Sequence, residues 1–181
     1  MTEKKLITAE ELRKLIHYNP ETGIFVWLTR MLRPGLERID KGWNTRLAKK
    51  TIAPRLDKKG YSQICIAPFS NQFAHRLAWL YVYGTWPNGE IDHINGNPID
   101  NRIENLREAT HQQNMCNQKI RSDNTSGVKG VSHTKRGKPW RAQININGKV
   151  VYLGNFSTKE EAIECRKRAE NRTHGTFSRA I

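Results

Sequence analysis

Glu90-Ile91-Asp92-His93-Ile94-Asn95-Gly96 is the stretch whose reading decides the fold, and it runs on through Asn114. A carboxylate and an imidazole stand side by side near the end of a short apolar strand. A turn-rich loop follows, Asn95-Gly96-Asn97-Pro98-Ile99-Asp100-Asn101-Arg102, and then a strand-like piece, Ile103-Glu104-Asn105-Leu106-Arg107. Thr110 and Gln113 have capping-box spacing, so a helix begins there with Asn114 in its first turn and runs to about Lys119. The order is strand, loop, strand, helix. Asp92 and His93 leave a regular strand on opposite sides, so the arrangement requires a bend where the Asn-Gly loop begins. Polar groups from these pieces can then hold one divalent cation and one general base.

Working outward, Trp86-Pro87-Asn88-Gly89 turns the chain into this strand. Before it, His75-Arg76-Leu77-Ala78-Trp79-Leu80-Tyr81-Val82-Tyr83-Gly84 reads as a buried helix closed by a glycine cap, with its aromatics in or over the core. His75 and Arg76 at its start are additional site candidates, with Arg107 and His111. Tyr61 to Ile66 alternates as a half-buried strand does. Residues 3–17 read as an amphipathic helix capped by Thr8 and Glu11, and Ile24 to Leu28 as a strand after the turn Asn19-Pro20-Glu21-Thr22-Gly23. Residues 30–50 hold seven Lys or Arg around Pro34, Gly35 and Gly42. Their weak periodicity predicts a long, basic, partly mobile loop, serving solvation or phosphate contact.

Downstream, Arg121-Ser122-Asp123-Asn124-Thr125-Ser126 is a polar linker. A compact unit follows: strands over Val128–Ser132, Trp140–Asn145 and Lys149–Leu153, with a basic loop at Lys135-Arg136-Gly137-Lys138 and a hairpin turn at Asn147-Gly148. Ser157 and Glu160 cap a helix running to about Thr173, with Ala162, Cys165 and Ala169 on the face that sits on the sheet. The division is thus 1–50 as a part of or lead into the first domain, 51–120 as the core of that domain, 121–126 as linker and 127–181 as the second domain.

The 181 residues carry a net charge of +14, and the pI is about 10.0. Such a surface implies a polyanionic partner, most simply nucleic acid. Residues 120–181 alone hold 13 Lys or Arg against 5 Asp or Glu. Cys65, Cys116 and Cys165 lie too far apart for a Cys-x-x-Cys pair, so neither a disulfide framework nor a structural zinc is expected. No apolar run approaches the roughly 20 residues of a membrane span, and no signal peptide is visible, which points to the cytoplasm. Nothing resembles the aromatic platform of RNA-recognition folds.

Asp92-His93-Ile94-Asn95-Gly96, Asp100 to Arg107 and Thr110 to Asn114 together resemble the HNH endonucleases with a ββα-metal fold. The likeness is closest to the phage and intron homing type, in which asparagine replaces the final histidine. His75 to Trp79 and Gly60-Tyr61 share it, so it covers roughly residues 20–119. The resemblance implies His93 as general base, Asp92 and Asn114 as ligands of one Mg²⁺ or Mn²⁺, and Asn105 as the residue orienting His93. The chemistry agrees: a hard cation on a carboxylate and an amide oxygen neutralises charge at a phosphodiester, and a nearby histidine deprotonates water. His111, three residues before Asn114, is a competing ligand.

Gly127 to Val131, Trp140 to Ile144, Tyr152 to Phe156 and the helix ending at Gly175 are similar to the Apetala/ethylene-response DNA-binding domain. This implies three antiparallel strands laid in the major groove and a helix behind. Lys129, Lys135, Arg136 and Lys138 are phosphate-binding candidates, and Trp140, Arg141, Gln143, Asn145 and Tyr152 complete the DNA-binding set. Ser132 and Val150 stand where the plant domain has basic residues, so site preference differs. The expected fold class is therefore α+β, a ββα-metal (His-Me finger) nuclease domain followed by a three-stranded antiparallel sheet on one helix. The function expected is site-directed hydrolysis of double-stranded DNA, by nicking or double-strand cutting, as a monomer. The rival is an inactive DNA-binding regulator on a nuclease-derived fold.

Overall fold

The computed structural model describes residues 6–69, 71–118, 120, 122–134, 139–146 and 148–173. The chain divides into two compact units, 1–108 and 109–181.

In the first unit, Thr8 and Glu11 form the expected capping box, each side chain bonding the other's backbone N–H. The helix is shorter than its amphipathic pattern suggests: α1 spans Ala9–Leu15, and Ile16 already belongs to β1, Ile16–Asn19. β-branched Ile16 is fully buried in the core from an extended backbone, which ends the helix. β1 pairs antiparallel with β2, Ile24–Trp27. The turn between them places Gly23 at φ +70°.

The basic segment 30–50 is not a loop throughout, because Glu37–Leu47 form a helix, α2. Its inward face is Asp40, Trp43 and Asn44, at helical spacing but mostly polar, so apolar periodicity could not reveal it. Buried Asp40 accepts from Arg33 Nη2 at 2.6 Å, from Nε at 3.0 Å and from the Arg33 backbone at 3.0 Å. Asn44 exchanges two hydrogen bonds with the Arg30 backbone, at 2.8 and 2.9 Å. Trp43 lies edge-on to Trp27 and beneath the Arg30 guanidinium, 3.9 Å from ring centroid to carbon. The hydrogen bonds from Arg33 hold the Asp40 carboxyl down at about 2.

β3 (Arg55–Leu56), β4 (Ser62–Cys65) and β5 (Asn71–Phe73) make an antiparallel sheet in that order. α3, Ala74–Tyr83, ends at Gly84 in the left-handed conformation at φ 79°, as the glycine predicts. It buries Leu77, Ala78 and Leu80 against Leu12, Ile16, Tyr18, Phe25 and Ile64. Each buried Leu or Ile among them stabilises by about 1.5–3 kcal/mol. β6, Glu90–His93, pairs with β7, Leu106–Ala109. A 3₁₀ turn at Ile103–Asn105 occupies most of what reads as strand in the sequence.

In the second unit, the Thr110–Gln113 capping box opens α4, His111–Asn117, and Lys119 lies outside the described residues. β8 (Val131–His133), β9 (Trp140–Ile146) and β10 (Lys149–Phe156) form an antiparallel sheet with β9 central. The Asn147 half of the hairpin turn and the basic loop Lys135–Lys138 lie outside the described residues. α5, Lys159–Thr173, packs Ala162 against Val128, Val131 and Ala142. Its capping box is Thr158 with Glu161, one residue later than Ser157 with Glu160. Ala162, Ile163 and Arg166 turn toward the sheet, with Cys165 at the margin.

The hairpin turn leans on residues far away in sequence. A Cβ on Gly23 would stand 2.7 Å from the Arg102 nitrogen and 2.8 Å from the Asn101 carbonyl carbon. Tyr18 donates its hydroxyl to the Asn101 carbonyl at 2.7 Å, buried. Tyr18→Phe should lower stability by about 1 kcal/mol, and Gly23→Ala by about 1–3 kcal/mol from the positive φ alone. Urea unfolding midpoints rank the two.

Candidate active site

The end of β6 and the loop after it carry a buried polar cluster. Asp92 and His93 are 3% and 5% exposed although consecutive. The chain turns at once: the His93 carbonyl accepts from Gly96 N at 2.7 Å, and Ile94 N donates to the Asn105 carbonyl at 2.9 Å.

Asn105 spans the loop. Its Oδ1 accepts from Asn95 N at 2.9 Å, and its Nδ2 donates to Asn95 Oδ1 at 3.1 Å and to the Asp100 carbonyl at 2.8 Å. It therefore fixes the backbone on both flanks of His93's loop rather than bonding the imidazole itself. The amide at the imidazole is that of Asn101, whose Oδ1 lies 3.4 Å from His93 Nε2. Asn101 is 5% exposed, and nothing local in the sequence distinguishes it from the other asparagines of the loop. Asp100, gripped by Arg102 Nε at 2.9 Å and Nη2 at 2.8 Å, is held down at about 2.

Asp92 Oδ2 accepts from Arg107 Nε at 2.8 Å, with Nη2 also at 2.8 Å. This ion pair joins β6 to β7. Arg76 clamps the approach to β6, donating to the carbonyls of Gly89 at 2.9 Å and Pro87 at 3.2 Å.

An aromatic wall backs the imidazole. His75 stands edge-on to His93 at 5.1 Å, Phe73 stacks on His75 at 5.3 Å, and Tyr61 lies 5.9 Å from His93. Burial first, and the neighbouring His93 second, push His75 down to about 3. Burial also lowers His93, opposed by Asn101 and then Asp92. Both imidazoles are held neutral, the form a general base requires.

Asn114 and His111 lie on α4 in the second unit. Within the first unit the Asp92 carboxylate, paired with Arg107, and the loop asparagine amide oxygens are hard oxygens of the kind a divalent cation takes. They fit such an ion, which typically takes one or two protein carboxylates and keeps waters. Among the described residues no three His, Cys, Asp or Glu side chains gather as a metal-holding group.

On the sheet of the second unit, Arg141, Gln143 and Asn145 alternate with buried Ala142 and Ile144. Tyr152 pairs with Gln143 and Asn155 with Arg141, and Tyr152 is 58% exposed. Trp140 is half-buried, packed on the core side beside Phe156, with Lys159 Nζ 5.8 Å from its ring. Lys129 Nζ donates to the Cys116 carbonyl at 2.7 Å. Lys135, Arg136 and Lys138 lie outside the described residues.

The HNH endonuclease family profile matches residues 72–116, from β5 through α3, β6 and β7 into α4. Protein 3.8 of Escherichia phage T7 is 35% identical over 125 residues, which is 67% of this chain and 98% of that protein. An uncharacterized HNH endonuclease of Acanthamoeba polyphaga mimivirus is 32% identical over 106 residues, 58% of this chain and 54% of that protein. The chain thus spans about half the mimivirus protein's length. No solved structure is a significant match.

The depressed value of His75 sets a pH dependence. Unfolding returns it to its ordinary value near 6.5, so the unfolded chain takes up the proton first. Its contribution to stability is full above about 6.5 and lost progressively as pH falls toward about 3. His75→Phe should reduce the loss of stability between roughly pH 7 and 4, read from urea midpoints across pH.

Proposed function

The chain belongs to the family of phage T7 protein 3.8 and carries an HNH endonuclease domain, and from that premise we propose a metal-dependent DNA endonuclease of homing type. It hydrolyses phosphodiester bonds of double-stranded DNA, nicking or cutting both strands, as a monomer in the host-cell cytoplasm. The observation that carries the reading is the burial of consecutive Asp92 and His93 at the end of β6, beside a loop tied down by Asn105.

His93 takes a proton from the attacking water, and burial keeps its imidazole neutral and ready to accept it. Asn101 sets the ring at Nε2, and Asn105 holds the loop that carries it. Asp92 and Asn114 would hold the cation, which when bound neutralises the phosphorane-like charge and assists the leaving 3′ oxygen. Arg107 holds the Asp92 carboxylate in place and adds positive charge beside the scissile phosphate. The second unit is an Apetala/ethylene-response-like DNA-binding domain. Arg141, Gln143, Asn145 and Tyr152 read base edges, Trp140 supports them from the core side, and Lys129, Lys135, Arg136 and Lys138 supply charge for phosphates. No helix among the described residues is long and apolar enough to cross a membrane.

The same Arg107–Asp92 pair favours one rival, a DNA-binding regulator without catalysis, since it occupies the carboxylate a cation needs. Conversion of supercoiled plasmid bearing the target separates them. Nicked or linear product with Mg²⁺, abolished by EDTA and by His93→Ala, is the expected outcome. His93→Ala should cut at least about 100-fold more slowly, the usual contribution of a general base. Cleavage at the wild-type rate by His93→Ala removes His93 as the base. No conversion with any divalent metal supports the regulator.

A further inference from the structure

The second unit contains a charged group that neither the sheet's outer face nor the nuclease chemistry employs. Arg166, on the face of α5 turned toward the sheet, is 6% exposed. Its Nε and Nη1 are buried and have no hydrogen-bond partner. Glu170 Oε2 lies 3.2 Å from Nη1, close enough to share its charge without a hydrogen bond. Leaving buried guanidinium N–H groups unsatisfied is costly, and an acceptor arriving from outside relieves it.

The guanidinium lines a cavity of about 740 Å³ together with His111, Lys129, Gly130, Gln143 and Asn145. Beyond Gln143, whose N–H reaches the Gly130 carbonyl at 2.8 Å, β8 offers β9 no further partner, so this cavity opens beside Ile144 and Asn145. Gly130 is shaped for the arginine. It holds φ +70°, and a Cβ there would lie 2.8 Å from Arg166 Nε and 2.2 Å from the Gln143 carbonyl oxygen. A second cation joins it: Lys129 Nζ is anchored on the Cys116 carbonyl at 2.7 Å, and both residues line the same cavity.

We propose that this cavity seats one DNA backbone phosphate, with Arg166 and Lys129 as its cationic walls, beside the base-facing Gln143 and Asn145. This rests on the DNA-binding reading above. The occupant is a backbone phosphate because the cavity shares two residues with the polar sheet face of a strongly basic chain, where a strand bound to that face carries its phosphates. Glu170 tempers the site, and the phosphate displaces its hold on Nη1.

The test measures affinity of the full chain for duplex DNA across a salt series. Arg166→Gln should lower the slope of log K against log salt by about 0.9, the share of one phosphate. The ranking among DNA sequences should stay unchanged, because a phosphate contact carries no sequence information. Glu170→Gln should tighten binding to every sequence, and it decides the matter alone if Arg166→Gln fails to fold by circular dichroism. A folded Arg166→Gln with the wild-type slope, or Glu170→Gln without a gain, overturns the proposal. Inorganic phosphate is titrated in parallel and followed by its ³¹P line width. Arg166-dependent broadening with an unchanged DNA slope assigns the site to free phosphate and also overturns it. Wild-type protein that binds no duplex DNA refutes the broader DNA-binding reading itself.

Discussion

The carbonyl of Asn101 receives the buried hydroxyl of Tyr18 from 83 residues earlier in the chain. Around that bond the N-terminal hairpin and the loop after β6 become one structure. Pro20 accepts from Ile103 N at 3.0 Å, and Gly23 presses its bare Cα on the Asn101–Arg102 peptide. The loop between β6 and β7 is rich in Asn, Gly and Pro and has little apolar surface of its own. It acquires a single conformation because a packed hairpin closes one side and Asn105 ties the other. Asn101 can then present Oδ1 to His93 because its own backbone is held.

Electrostatics follow from that closure. Excluding water from the imidazoles of His75 and His93 depresses both, while Asp100 and Asp92 are kept in place by arginines two and fifteen residues on. A neutral imidazole thus sits next to a carboxylate that is buried yet paired. Burying a carboxylate without a partner would be costly, so Arg107 is the condition for having Asp92 there at all. A cation proposed at this carboxylate would have to compete with the same pair.

Much of this was legible in the sequence, for identifiable reasons. Capping boxes at Thr8 and Thr110 and the glycine stop at Gly84 are local signals, readable within five residues, and each marks a helix end. β2, β4 and β9 followed their β-rich or alternating patterns, because burial on one face writes itself into the sequence with period 2. The helix at Glu37–Leu47 was not legible, because its buried stripe includes an aspartate and an asparagine whose partners, Arg33 and Arg30, precede the helix. Asn101 and Gly23 escaped for a related reason. Their roles exist only in contact with each other's segments, and no local pattern encodes a contact 78 residues apart. Arg166 escaped because a lysine-and-arginine-rich amphipathic helix normally exposes its charges, and only the packing shows this one buried.

The proposed cation site is the buried end of β6, at Asp92 and His93. Mn²⁺ titrated into ¹⁵N-labelled full-length protein tests it without any need for a known DNA target. The account predicts that the amide signals of Asp92 and His93 broaden first, and that Asp92→Asn abolishes this while leaving the remaining spectrum folded. Broadening that begins elsewhere, or that persists unchanged in Asp92→Asn, would contradict it.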